Sequence, residues 1–212
     1  MSRKKTQKIA ELKTFANVLQ SADPAVIDWQ IIFGNDKSLT LELGCGSGVY
    51  TRELAKLFPE KNFISIDTKG ARLWQGATIA LAENFANVRF LRSRIENIES
   101  YFPKRSIAQI WLTFPDPFPK KRQAKHRLTA PPFLEIYKKI LAPDGVLHLK
   151  TDDLNLLNYS VETLADAGFR VVEIINNLYA MPKINPILAI QTVYEKKHLA
   201  QNKQIHYLKA LR

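Results

Sequence analysis

The five-residue stretch Leu39–Leu43 (LTLEL) passes directly into Gly44-Cys45-Gly46-Ser47-Gly48 and then into an amphipathic stretch. Glycines spaced by one residue let the backbone turn tightly and approach a ligand without a β-carbon in the way. A short buried strand, a glycine turn and a helix are the opening unit of an open α/β sheet. The rest of the chain repeats the same alternation of short apolar runs and amphipathic stretches, which predicts a mostly parallel sheet flanked by helices.

Strands are predicted at Leu39–Leu43, Asn62–Asp67, 88–91, 107–114, 145–150 and 169–175. The fourth (IAQIWLTF) is almost wholly apolar, as a central strand buried on both faces should be. Helices are expected over 50–58, where Pro59 ends the first, and over 71–85, 132–141 and 154–167. Residues 177–191 read as a loop, and the alternating stretch 204–211 as a last strand. With no crossover helix before it, that strand should run antiparallel. Residues 1–37 are expected to be a basic N-terminal arm and connector, helical over 1–20, and 38–212 one catalytic-size domain.

Charge is the unusual part of the composition. Thirty-one basic residues face 20 acidic ones, a net charge of +11, concentrated at Arg3, Lys4, Lys5 and Lys8 and again at 120–127. Clustering of this kind is the electrostatic footprint of a phosphate-backbone binder, with an anionic membrane surface as the second reading. No run of eighteen apolar residues predicts a membrane span, and the basic N-terminus lacks the apolar segment of a secretory signal. The single cysteine, Cys45, allows no internal disulfide and no cysteine cluster, so a reducing compartment and no metal site are expected.

The glycine turn does not match a dinucleotide fingerprint, whose third glycine would fall at Val49. No pyrophosphate need be bound there; an adenosine with an uncharged linkage fits as well. Asp67, ending the second strand, stands where a carboxylate can accept both hydroxyls of a ribose. Cys45 reads as a small filler of the turn and His148 as a packed sheet residue.

After the fourth strand comes Phe114-Pro115-Asp116-Pro117-Phe118-Pro119, followed by Lys120, Lys121, Arg122, Lys125 and Arg127. A proline-stiffened turn presents one carboxylate beside an aromatic ring, and a grip for a polyanion follows it. Ligand crevices of open α/β sheets lie at the carboxyl ends of the strands. The pair of features points to an enzyme acting on a base within a nucleic acid.

Glu42–Gly48 with Asp67 resembles the S-adenosylmethionine site of class I, Rossmann-like methyltransferases. The turn and basic run resemble those of bacterial tRNA (guanine-N7-)-methyltransferases, as do Lys150-Thr151-Asp152 and the late Thr192-Val193-Tyr194-Glu195. This resemblance implies a mostly parallel seven-stranded sheet with an antiparallel last strand and helices on both faces. It also implies methyl transfer from S-adenosylmethionine to N7 of a guanine in the variable loop of tRNA, in the cytoplasm, with no metal, membrane or obligate protein partner. Glu42, Gly44, Gly46, Gly48 and Asp67 would bind the donor, together with position 94 and Asp116. Asp116 would be the central catalytic residue, while Lys120, Asp152, Thr192 and Glu195 would contact the guanine. Lys120, Lys121, Arg122, Lys125 and Arg127 would meet the RNA.

Three positions depart from the family pattern. Arg94 stands where an acidic residue usually accepts from the adenine amino group, and arginine cannot accept; Glu96 or backbone would have to serve. Phe118 replaces a tryptophan, and His126 an arginine. Three other readings stay open at this point: a class I methyltransferase acting on another RNA or an exocyclic amine, a non-catalytic RNA-binding subunit with a vestigial cofactor fold, and, less well matched, a nicotinamide-dependent oxidoreductase.

Overall fold

The structure, a computed structural model, describes residues 3–20 and 27–212, without the side chains of Arg3 and Lys4. The chain divides into two compact units, Met1–Pro103 and Lys104–Arg212.

The first unit begins with α1 (Arg3–Glu11), a short 3-10 turn and β1 (Val18–Gln20), followed by α2 (Trp29–Phe33) and β2 (Leu39–Leu43). Then come α3 (Val49–Leu57), β3 (Asn62–Asp67), α4 (Gly70–Ala82) and β4 (Val88–Arg92), and a 3-10 segment Ile95–Tyr101 closes the unit. Its strands lie in the order β1-β4-β3-β2 with every pair parallel. Neither β2 nor β3 has an exposed residue, although each carries polar side chains, Thr40 and Glu42 in one and Asn62, Ser65 and Asp67 in the other.

The basic N-terminal stretch is more structured than a helical arm. Glu11 accepts from the Trp74 indole of α4 at 2.8 Å, Lys8 lies over the same ring at 4.4 Å, and Leu12 is fully buried. Val18–Gln20 then pairs with Phe90–Arg92. This strand makes eight among the described residues, where seven were expected; three residues are too short a run to show a period.

In the second unit β5 (Ile107–Thr113) precedes a 3-10 turn Lys121–His126, α5 (Pro131–Ile140), β6 (Leu141–Thr151) and α6 (Leu154–Asp166). β7 (Arg170–Ile175), the short α7 (Pro186–Ala189), α8 (Val193–Ala200) and β8 (His206–Leu211) follow. Here the order is β5-β6-β8-β7. β5 and β6 are parallel, and β8 is antiparallel to both its neighbours as expected, although α7 and α8 lie between β7 and β8 where no helix was foreseen. Asp153 caps α6 by accepting from the Leu156 amide, and Thr192 caps α8 through the Glu195 amide. β7 ends the row largely exposed, and its charges Arg170 and Glu173 and a register shift between Val171 and Glu173 blunt that edge.

Two differences from expectation have local causes. Pro143-Asp144-Gly145 does not precede the fifth strand but loops out of it: Ile107 pairs with Leu141 and Gln109 with Val146. Within 177–191 a 3-10 turn and α7 replace a plain loop, Asn185 capping α7 through the Ile187 amide. No described helix is long and apolar enough to cross a membrane.

His148 packs as a sheet residue. Its ring stacks on Trp111, its register partner on β5, with centroids 3.8 Å apart, and Nδ1 hydrogen-bonds the Tyr207 hydroxyl of β8 at 2.8 Å. Burying an aromatic such as Trp111 contributes about 1.5–3 kcal/mol, so this cross-strand stack is part of what holds the second unit together.

Candidate active site

In the first unit the chain leaves β2 with three glycines in the left-handed region, Gly44, Gly46 and Gly48 at φ of 71°, 60° and 60°. The amides of Gly44 and Cys45 both donate to the Ile66 carbonyl, which ties the turn to the end of β3. The glycines are needed for different reasons. A β-carbon at Gly46 would meet nothing within 4 Å, so that face opens onto free space. One at Gly48 would stand 2.8 Å from Ser65 Oγ and 2.9 Å from the Phe90 ring. One at Gly76, in the middle of α4, would stand 2.3 Å from the Ser47 carbonyl oxygen. Gly76 therefore allows α4 to pack against the turn, and a lone glycine inside a helical pattern was the available signal for it.

Asp67 faces this turn, buried. Oδ2 accepts from the Gly46 amide at 2.9 Å and Oδ1 from the Lys69 amide at 2.8 Å. A carboxylate oxygen has room for two hydrogen bonds, so one site remains on each oxygen for a vicinal diol. Free space over Gly46 and this half-used carboxylate fit the ribose end of an S-adenosylmethionine molecule.

Glu42 is 3% exposed. Its Oε2 accepts from the Thr51 amide at 3.0 Å and the Thr51 hydroxyl at 2.5 Å, and that hydroxyl accepts from Ser65 at 2.7 Å. The carboxylate thus sits at the N-terminus of α3, where the orphan amides and the helix dipole favour an anion. Arg52, one residue on, donates to the Ser47 carbonyl at 2.6 Å and the Gly48 carbonyl at 3.3 Å. Thr51 and Arg52 carry no motif of their own and were missed in the sequence. Burial, then the charges of Glu42 and Asp67, push the Cys45 thiol well up; it is a filler of the turn, not a nucleophile. Arg94 follows β4 with its side chain 70% exposed and paired to Glu96 at 3.2 Å.

In the second unit the turn after β5 adopts left-handed backbone without glycine: Phe114 has φ of 52° and Phe118 of 42°. The Phe114 amide donates to the Lys150 carbonyl at 2.8 Å. Asp116 is exposed and its carboxylate has no hydrogen-bond or ionic partner among the described residues. Lys120, Lys121, Arg122 and Lys125 are exposed too, and none makes an ion pair among the described residues. Arg127 differs from the rest of the basic run. It is buried, and its guanidinium donates to the carbonyls of Pro117 and Phe118 at 2.9 and 3.1 Å. The RNA contact expected at Arg127 therefore has fewer donors to draw on than its exposed neighbours have, because two of its five N–H groups are spent on carbonyls of its own chain.

Glu195 is likewise turned inward. It is fully buried, each carboxylate oxygen 2.8 Å from Lys150 Nζ, with the Tyr179 hydroxyl donating to Oε1 at 2.9 Å. Lys150 Nζ also donates to the carbonyls of Leu188 and Ile190, and Gln191 donates to the Tyr179 hydroxyl. One buried ammonium thus staples the 178–195 segment to the end of β6. Burial pulls the Lys150 pKa down and Glu195 pulls it back up; burial likewise raises Tyr179, to about 12. Glu195, expected as a wall of the guanine pocket, spends its oxygens on this staple, and Thr192 spends its hydroxyl on the cap of α8.

Asp152 stays half-buried at the end of β6. Oδ2 accepts from Lys203 at 2.5 Å and lies 3.3 Å from His198 Nδ1. The His198 ring stacks on Phe114, centroids 5.8 Å apart, and burial holds its pKa down. Asp152, Thr192, Glu195 and the root of the Asp116 turn are therefore brought together around Lys150 and His198. Tyr179, Gln191 and Lys203 complete the group, and only their long-range contacts reveal them.

A family model described as "Putative methyltransferase" matches residues 36–208. A tRNA (guanine-N(7)-)-methyltransferase of Christiangramia forsetii is 42% identical, covering 98% of this chain and 97% of that one. The enzyme of the same name from Porphyromonas gingivalis is 46% identical over 83% of this chain and 72% of its own. Among solved structures, a 16S rRNA methyltransferase, KamB, superposes with a TM-score of 0.64 at 12% identity, covering 82% of this chain and 87% of that one. A SAM-dependent methyltransferase from Aquifex aeolicus gives 0.57 at 16% identity, over 96% and 97%. The structural likeness shows the Rossmann-like methyltransferase fold. The sequence identity reaches further: the chain belongs to the tRNA (guanine-N(7)-)-methyltransferase family.

Proposed function

We propose that this chain methylates N7 of a guanine in tRNA, in the cytoplasm, using S-adenosylmethionine. Bound at the glycine turn, the donor supplies an electrophilic methyl group on a cationic sulfur. Asp67 would hold the ribose hydroxyls with its remaining lone pairs, and the open face of Gly46 would let the backbone lie against the ligand. Glu42 would act through the first turn of α3, keeping the glycine turn in place.

Guanine N7 has a lone pair and no proton, so this chain need supply no general base. Its task is positioning and electrostatics. Asp116 would accept from the guanine N1–H and amino group and stabilise the positive charge that grows on the purine as N7 takes the methyl. Asp152 would contact the base from the end of β6. Lys120, Lys121, Arg122 and Lys125 would bind the phosphates that flank an accessible loop base.

The observation that carries this reading is Asp116: an exposed carboxylate without a partner among the described residues, on a turn held in left-handed backbone, followed by four exposed cations that make no ion pair among those residues. Incubation with unmodified tRNA and labelled donor, followed by nucleoside analysis, tests it. Label should appear in 7-methylguanosine; label in any other nucleoside would overturn the assignment. Asp116→Ala should still bind the donor while turnover falls about 10²–10³-fold, the usual loss when one electrostatic contact to a transition state is removed.

A further inference from the structure

We infer that Arg127 is a positioning residue that sets the backbone of the Asp116 turn, and not one of the phosphate contacts its place in the basic run implies. The inference rests on the methyl-transfer reading only for its kinetic consequence.

Phe118 occupies φ of 42°, a region that costs a residue with a β-carbon about 1–2 kcal/mol. Such a conformation persists only where surroundings over-determine it. Arg127 Nε donates to the Pro117 carbonyl at 2.9 Å and Nη2 to the Phe118 carbonyl at 3.1 Å. The first carbonyl belongs to the peptide plane before the Phe118 α-carbon and the second to the plane after it. Holding both from one rigid planar group fixes φ and ψ of Phe118 together. Pro117 has its own φ locked by the ring, so the grip carries back to Asp116, whose own carboxylate is held by nothing else among the described residues.

The guanidinium is itself held. Its carbon lies 4.3 Å from the centre of the Tyr159 ring on α6, and the Arg127 amide donates to the Ala124 carbonyl. The charge is compensated by two carbonyl dipoles and a ring face, so burial at 9% exposure is tolerated. A lysine could reach one carbonyl as a point charge but could not span two with fixed geometry. Asp116 therefore owes its direction to a residue eleven positions further along, outside the turn.

The test compares Arg127→Met, Arg127→Lys and Tyr159→Leu with the charge-reversed pair Lys121→Glu/Arg122→Glu. Arg127→Met should lower kcat at saturating tRNA by about 10²-fold, the scale of a misplacement near 1 Å. Arg127→Lys should recover part of that loss, and Tyr159→Leu should lose less. The salt slope of tRNA binding should stay at the wild-type value in all three and flatten only in the charge-reversed pair. A slope reduced by about one in Arg127→Met, with kcat unchanged, would make Arg127 a phosphate contact and overturn the inference. Tryptic cleavage after Lys120–Arg122 supplies a readout that needs no activity. It should be faster in the Arg127 and Tyr159 variants, and equal cleavage in all of them overturns the positioning role even if wild-type chain proves to methylate another nucleoside. Should Arg127→Met fail to fold, the lysine and Tyr159 variants carry the same comparison.

Discussion

Two turns follow two buried strands in this protein, and they reach left-handed backbone by opposite means. After β2 the chain uses Gly44, Gly46 and Gly48, for which that region carries no steric cost. After β5 it uses Phe114 and Phe118, for which it does. The glycine turn is held by the helix and the strand that follow it: Thr51 and Arg52 on α3, Ile66 and Asp67 on β3. The Asp116 turn is held by Arg127 at the end of the basic run, by the Lys150 carbonyl and by the stack of His198 on Phe114. A turn built from glycine costs little to fold. A turn built on strained residues needs contacts from outside itself, and the strand that supplies the Lys150 carbonyl also carries the buried Lys150–Glu195 pair.

If that contrast is right, the largest effect comes from breaking the pair. Glu195→Ala leaves the Lys150 ammonium in a dry site without its counter-charge, and loss of one partner of a buried pair costs about 3–5 kcal/mol. Urea unfolding should show this, with donor binding by the folded fraction little changed. An effect under 1 kcal/mol would mean that the 178–195 segment does not depend on the pair.

The glycines provide the next test. Gly48→Ala adds a left-handed cost of about 1–2 kcal/mol and an overlap with Ser65 and Phe90 of about 1–3 kcal/mol. Gly46→Ala should cost only the first term, because nothing lies within 4 Å of its added carbon. Calorimetry should nevertheless find the Gly46 variant the poorer binder of S-adenosylmethionine relative to its stability. Equal losses of stability in both would break the distinction between a packing glycine and a ligand-facing one.

The smallest effect is alkaline. Tyr179 titrates at about 12 in the folded chain against an ordinary 10.0. A raised folded pKa means that the neutral phenol's contribution is fully present below about pH 10 and is lost as the pH rises through about 12. Tyr179→Phe should flatten the fall in stability over that window, measured by unfolding at a series of pH values. An unchanged pH profile would remove Tyr179 from the staple.

The strand–glycine turn–helix unit, the alternation that follows it and the antiparallel last strand could all be read before any coordinates, because each depends on residues near one another along the chain. So could Asp67 and Asp116, each at the end of a buried strand. β1 could not, since three residues show no period and join the sheet only by pairing with Phe90 and its neighbours. The roles of Arg127, Glu195 and Thr192 were hidden for a different reason. A charge in a sequence declares its sign and not its direction, and whether an arginine faces a phosphate or two carbonyls of its own chain is settled by burial.

By itself, then, the amino-acid order determined the α/β class, the glycine turn and the carboxylates at the strand ends. It also marked a basic run, through local propensity and spacing. Only the tertiary structure decided which charges point outward to solvent, as Lys120, Lys121, Arg122 and Lys125 do, and which turn inward to partners within the fold, as Arg127, Lys150 and Glu195 do. Desolvation forces that choice: a buried charge must find partners inside the fold, and for Lys150 the partner lies 45 residues away along the chain.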